Sequence, residues 1–403
     1  MNIAFLLRRL FFFALFGAAH AHETPPLLLI SMDGFRWDYC ALHPAETPNL
    51  RALIREGTTA RSLIPVFPTN TFPNHYSIAT GLRSARHGMI NNEFFDSSTG
   101  EVFNYKNPAS VGAAKWWGGE PIWTTAVRQG RPAASYFWVG SEAEIHGVRP
   151  TFWKRYDYSV PFAQRLEELV AWLRLPPAQR PAFIAFYFEE TNSAGHNHGP
   201  DSPALAAAVR LLDTQLGTLR TRLAAEGVTP NFVIVSDHGM APVSVDRVIV
   251  LEDYIDPKTV QIDFAGSVVG LQPLTGDTTG LMTRLAQIPH ARACLAADLP
   301  AHFQLKDNPR IAPVWVLPEL GWHVLPRKKY ELTRQTYNKG DHGYDPALPS
   351  MHGIFVASGP SFKAGVVTEA VENIHIYNLL CAALRLTPAP NDGDDRLVRA
   401  ALR

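Results

Sequence analysis

The chain reads as an α/β protein, with a mostly parallel central sheet flanked by helices, and three observations carry that reading. Short apolar runs at Leu27 to Met32, Phe183 to Glu190 and Asn231 to Val235 alternate with helix-periodic stretches. Strands alternating with helices build parallel sheets covered on both faces. Each of these runs leads into a polar cluster, and open α/β sheets bind ligands at the carboxyl ends of their strands.

Taken in order, Leu27 to Met32 predicts a buried strand that turns at Asp33-Gly34. Thr47-Pro48-Asn49 then predicts the capped start of a helix through Ala52-Leu53-Ile54, stopped at Gly57. Phe183 to Glu190 predicts a strand ending in a loop that carries His196. From Pro203 to about Glu226, Leu205, Val209, Leu212, Leu216, Leu219 and Leu223 recur at helical spacing, and Gly227 closes the helix. Asn231 to Val235 predicts a strand running into Ser236-Asp237-His238, Gly353 to Ala357 another, and Ile374 to Leu386 a helix. Residues 242–339, rich in proline and short apolar runs, break the rhythm and read as an inserted subdomain or lid. The catalytic α/β domain is thereby expected in two parts, 22–241 and 340–403.

Bulk properties narrow the function. Arg8 and Arg9, the apolar run Leu10 to Ala19 and Ala19-His20-Ala21 have the layout of an export signal spanning 1–21. That run is about half of the roughly 20 residues a membrane span needs, and no later run is long enough. The expected location is periplasmic or secreted. Lys plus Arg equals Asp plus Glu at 37 each, which argues against a basic surface for a nucleic-acid polymer. Three cysteines, Cys40, Cys294 and Cys381, allow at most one disulfide.

Four polar clusters follow apolar runs: Ser31-Met32-Asp33-Gly34, Pro68 to His75, Gly195 to Pro200, and Ser236 to Met240. A fifth, Gly340-Asp341-His342-Gly343, comes much later. Carboxylates and imidazoles gathered at strand ends can coordinate zinc. Asp237 and His238 can serve one ion only if the strand has ended, because neighbours on a strand point to opposite faces. Gly239 makes that ending plausible. Spacing does not choose between His196 and His198, or between His342 and His352. Thr69 and Thr71 are both candidate nucleophiles, with Asn74 and His75 as helpers or helix caps. A hydroxyl needs a base or a metal to lose its proton, and two ions about 4 Å apart can hold attacking and leaving oxygens in line. Asn91 and Asn92 could donate to the charge that builds on a phosphoryl oxygen.

The string Pro68-Thr-Asn-Thr-Phe-Pro-Asn-His75, followed by Gly81-Leu82 and His87-Gly88, resembles the nucleophile segment of the nucleotide pyrophosphatase/phosphodiesterase family, within the alkaline phosphatase superfamily. The resemblance extends from about Leu27 to Arg396, through the tail Glu372-Asn373-Ile374 to Pro388-Ala389-Pro390-Asn391. It implies an alkaline-phosphatase-like fold and two zinc ions. One would be held by Asp33, Thr71, Asp237 and His238; the other by His196, His342 and an acidic residue four before His196. It further implies Thr71 as the nucleophile of a phospho-threonine intermediate, Asn92 as the transition-state donor, and Phe72 and Tyr156 as aromatics sandwiching a base.

One departure stands out. Asn192 occupies the position where the family carries its ligand aspartate, and Glu189 and Glu190 lie beside that position but not on it. An amide oxygen can coordinate but brings no charge. The expected activity is hydrolysis of nucleotide phosphodiester or phosphoanhydride bonds to a nucleoside monophosphate, with a small-molecule substrate. The rival readings are a choline-type headgroup phosphodiesterase and, because of Asn192, a metal-impaired nucleotide-binding protein. A sulfatase is disfavoured because no Cys/Ser-x-Pro-x-Arg segment occupies the nucleophile position.

Overall fold

Every residue of β1 (Leu27–Met32) is buried, as a strand covered on both faces must be, and its one polar side chain, Ser31, bonds His75 Nε2 at 2.8 Å. The computed structural model describes residues 24–403, so the export signal expected over 1–21 lies outside the described residues. Eight strands form the central sheet and are labelled in chain order. They are β1, β2 (Gly57–Ala60), β3 (Ala133–Tyr136), β4 (Phe152–Lys154), β5 (Phe183–Phe188), β6 (Asn231–Val235), β7 (Phe355–Ser358) and β8 (Val366–Thr368). Their spatial order is β8-β2-β7-β6-β1-β5-β3-β4. Only β7 runs against the rest, pairing antiparallel with both β6 and β2. Leu27 sits opposite Phe183 on one side and Asn231 on the other, so the carboxyl ends of β5, β1 and β6 lie together.

Alternation along these strands makes two cores. Leu27, Leu29, Phe183, Ala185, Val233 and Val235 face one layer, with Tyr76, Ile78, Leu379 and Leu380 from its helices. Leu28, Ile30, Ile184, Phe186, Phe232 and Ile234 face the other, with the predicted leucine stripe of helix Pro203–Ala225. That helix begins at Pro203, as the sequence predicts, and is capped by Ser202 Oγ, which accepts from Leu205 N at 3.1 Å. The start of helix Pro48–Glu56 is held differently. Thr47 makes no side-chain cap, and its hydroxyl donates back to His43 O. Buried Asp213, from the long helix, instead accepts from Asn49 N and Leu50 N at 3.1 and 2.7 Å. A carboxylate on free first-turn N–H groups satisfies the same need that a local cap would.

His196 lies not in a loop but in helix Glu190–His198, which begins directly after β5. The stretch is too rich in Gly, Asn and Ser to read as helical on propensity; contacts with the long helix beside it override that preference. Residues 242–339 contain a four-stranded antiparallel sheet over a separate small core that includes Leu251, Leu271, Leu285, Val314 and Val316. The chain leaves and returns at one point, with Ala241 and Pro242 paired to Asp341 and Gly340. That pairing carries Asp341 and His342 back to the mouth of the sheet, next to Asp237 and His238. All three cysteines are free, with Cys294 and Cys381 buried.

Candidate active site

The strand ends supply the first group. Asp33 follows β1 and is fully buried, its Oδ2 accepting from the Tyr187 hydroxyl at 2.6 Å. Asp237 and His238 follow β6, where Gly239 passes beneath the loop before β7: a Cβ there would stand 2.2 Å from Ser350 O. The chain can therefore bend at once, and both side chains reach one site. His238 Nε2 is 3.1 Å from Asp237 Oδ2, 3.5 Å from Asp33 Oδ1 and 3.3 Å from Thr71 Oγ1. Thr71 opens helix Thr71–Thr80. Thr69, the other candidate, is spent on structure: its hydroxyl donates to Tyr344 O and accepts from Gly343 N.

The second group is His196 and His342, with ring centroids 5.0 Å apart, and Asn192 nearby on the same helix as His196. His342 also stacks on His238 at 3.5 Å, which joins the two groups. His198 is exposed, and His352 bonds Ser62 Oγ and Pro346 O elsewhere, so neither belongs to the site. Glu189 is committed to Arg165 at 3.2 Å.

Charge in the first group is poorly balanced without a cation. Burial, then the Asp237 carboxylate, pushes Asp33 up to about 7. Burial acts the same way on Asp237, but His238 and His75 outweigh it and hold that carboxyl well below the usual range. Burial opposes protonation of His238, and the Asp237 carboxylate overrides it, raising the imidazole to about 9. Like charges sharing a buried site shift each other in this way. Asp33 Oδ1 and Asn192 Oδ1 are buried without hydrogen-bond partners. His196, His238 and His342 each direct Nδ1 at a backbone carbonyl, of Gly340, Gly239 and Thr69, at 2.8–2.9 Å. A proton on Nδ1 leaves Nε2 as the nitrogen turned to the site, the arrangement by which proteins aim histidines at metals, and a cation bound there would displace the second proton that Asp237 favours on His238. The described residues hold two groups able to take a metal ion, Asp33–His75–Asp237 and His196–Asp341–His342. Orphaned oxygens and aimed imidazoles fit divalent cations.

Around this centre, Asn92 Oδ1 accepts from Phe72 N at 2.9 Å, which leaves its amide N–H groups free. A cavity of about 490 Å³ is lined by Thr71, Phe72, Asn92, Tyr105, Tyr156 and Tyr187 among others. A second, of about 580 Å³, contains Asn192, His196, Asp341, His342, Lys106 and Lys329. Asn91 holds the loop instead, accepting from Asn70 Nδ2 and Asn92 N. Asn74 ties the backbone of Val66, Pro68 and Asn70. His75 bridges Ser31 Oγ, Thr71 O and Asp237. Sequence reasoning missed Tyr187, His75 as a partner of Asp237, and Asp341. The signal for the last is its place in Gly340-Asp341-His342-Gly343, directly before a candidate ligand.

The sequence profile described as type I phosphodiesterase/nucleotide pyrophosphatase matches residues 27–345. The chain belongs to that family. The chain is 39% identical over 386 residues to a venom phosphodiesterase of Macrovipera lebetinus and 36% over 384 residues to human ectonucleotide pyrophosphatase/phosphodiesterase family member 1. Each match covers 92% of this chain but only 44% and 41% of the relative, so the chain spans less than half the length of these relatives. Solved murine ectonucleotide pyrophosphatase/phosphodiesterase 5 superposes with a TM-score of 0.89 at 32% identity, covering 94% of this chain and all of that one. The family and the alkaline-phosphatase-like α/β fold implied by the motifs are those found.

Proposed function

We propose that this chain is a metal-dependent phosphodiesterase that releases a nucleoside monophosphate from nucleotide phosphodiesters or phosphoanhydrides. The observation that carries the proposal is the Thr71 hydroxyl at a helix start, 3.3 Å from His238 Nε2 beside two buried carboxylates. Asp33, Thr71, Asp237 and His238 would hold one ion; His196, His342 and the Asn192 amide oxygen would face the other. When bound, two zinc ions would lower the pKa of the Thr71 hydroxyl and offset the charge of the phosphoryl group. Thr71 Oγ1 attacks phosphorus, the bond to the leaving oxygen breaks, and water hydrolyses the phospho-threonine to free the monophosphate. At the start of the Thr71 helix Phe72 N is taken by Asn92 Oδ1, Pro73 has no N–H and Asn74 N bonds Asn70 O, so the Thr71 N–H is the group left to favour an anion at that end. The free amide N–H of Asn92 donates to a non-bridging oxygen as its charge grows.

Phe72 and Tyr156 line the same cavity, which supports their role as a base sandwich. Such stacking is worth about 1–3 kcal/mol and tolerates different bases. A murine relative of this fold has been solved as an inactive form in complex with AMP, which favours nucleotides over choline-type headgroups. Residues 242–339 act as a lid subdomain between the two parts of the catalytic domain, because Phe264 to Val268 and Asn338 border the second cavity. Export rests on the composition of residues 1–21; no helix among the described residues is long and apolar enough to cross a membrane. A substrate panel of nucleotides against phosphocholine diesters, with zinc analysis, tests the proposal. Turnover of nucleotides with two bound ions is the expected result. The neutral Asn192 favours one second reading, a binding protein, which predicts nucleotide binding without turnover.

A further inference from the structure

We infer that Asp341 supplies the carboxylate of the second metal site, replacing the charge that Asn192 does not bring; this rests on the two-ion reading above. Without it, His196, His342 and Asn192 offer a divalent cation only neutral donors, while the first site has both Asp33 and Asp237. Donor atoms of His196, Asp341 and His342 lie within 4.8 Å of one another. Around a tetrahedral zinc with bonds of about 2.0–2.1 Å, donors stand about 3.3 Å apart, so a small closure completes the set. Asp341 Oδ1 is 3.8 Å from His196 Nδ1, which is turned to Gly340 O instead, and so Asp341 is not consumed by that imidazole.

The placement of Asp341 is built into the fold. The Ala241–Asp341 pairing fixes its backbone, and its Oδ1 accepts from His342 N at 2.8 Å. On the far side stands His323, only 4% exposed, paired through Nε2 with Asp341 Oδ2 at 3.1 Å. The Tyr337 hydroxyl holds the other nitrogen of that ring. His323 and Tyr337 are positioning residues that fix the carboxylate beside the histidine pair. Glu189 cannot serve instead, because Arg165 engages it. The neutral Asn192 Oδ1, buried and unpartnered, completes the site as a fourth, uncharged donor.

The test is zinc stoichiometry and affinity of the full chain after chelation and reloading with zinc alone. Wild type is expected to hold two equivalents. Asp341→Asn is expected to hold one firmly, with the second weakened at least tenfold, and Asn192→Asp added to that variant is expected to restore two. His323→Gln should weaken the second ion by a smaller factor. Recovery in the double variant separates loss of a ligand from misfolding. Two equivalents of unchanged affinity in Asp341→Asn, or no recovery in the double variant, would overturn the inference while leaving the two-ion reading intact. Fewer than two equivalents in wild type would overturn both.

Discussion

The two metal-competent groups lie side by side but are made from different parts of the chain. Asp33, Asp237 and His238 sit at the ends of adjacent parallel strands, with no more than 1% of any side chain exposed. His196 and Asp341 come from a helix and from the return of the inserted segment, with side chains 23% and 21% exposed. A site made by strand ends inherits the register of the sheet. A site made by a helix and a returning loop inherits only their packing, and can change a ligand without disturbing the core.

The largest effect should come from the first group. Thr71→Ala is expected to cut kcat on the order of 10³-fold or more, with no labelled phospho-threonine trapped on acid quench. A turnover near wild type would end the nucleophile assignment. Next, chelator titration should release zinc in two steps, the more accessible second site first, because it carries one carboxylate against two. A single step would erase the distinction between the groups.

A third test addresses the scaffold under Thr71. His87 Nε2 lies 2.9 Å from Ser77 Oγ, and its Nδ1 accepts from Met89 N. Burial pushes its pKa down from 6.5 to about 3. The unfolded chain therefore binds the extra proton first. Stability should be intact above pH 6.5 and fall as pH drops toward 3, by about 2 kcal/mol at pH 5 from this group. Urea unfolding at pH 7 and pH 5 measures it, and His87→Asn should flatten the slope; an unchanged slope would remove His87 as the cause. The smallest effect is expected from Asn192→Asp alone, about tenfold in zinc affinity at the second site, or about 1.4 kcal/mol, because Asp341 already supplies charge there. Equal zinc retention in both forms would count against Asn192 facing the ion.

The legible parts of this chain were those where pattern and burial coincide. Leu27–Met32 and the leucine stripe of the long helix needed only periodicity to be read. Asp237-His238-Gly239 was legible because a strand had to end there. The illegible parts depend on partners distant in sequence. Nothing near Pro48 announces that Asp213 will cap its helix. Nothing near His196 announces a helix in a segment of poor helix formers. His342 and His352 look alike in sequence, and only the pairing of Gly340–Asp341 with Ala241–Pro242 separates them.

That short pairing has a wider consequence. Because residues 242–339 are stapled shut at their base, the span and shape of the excursion are decoupled from the chemistry beneath it. A change in the length or shape of this segment leaves His342 in register against His238, because the staple and not the excursion sets its position.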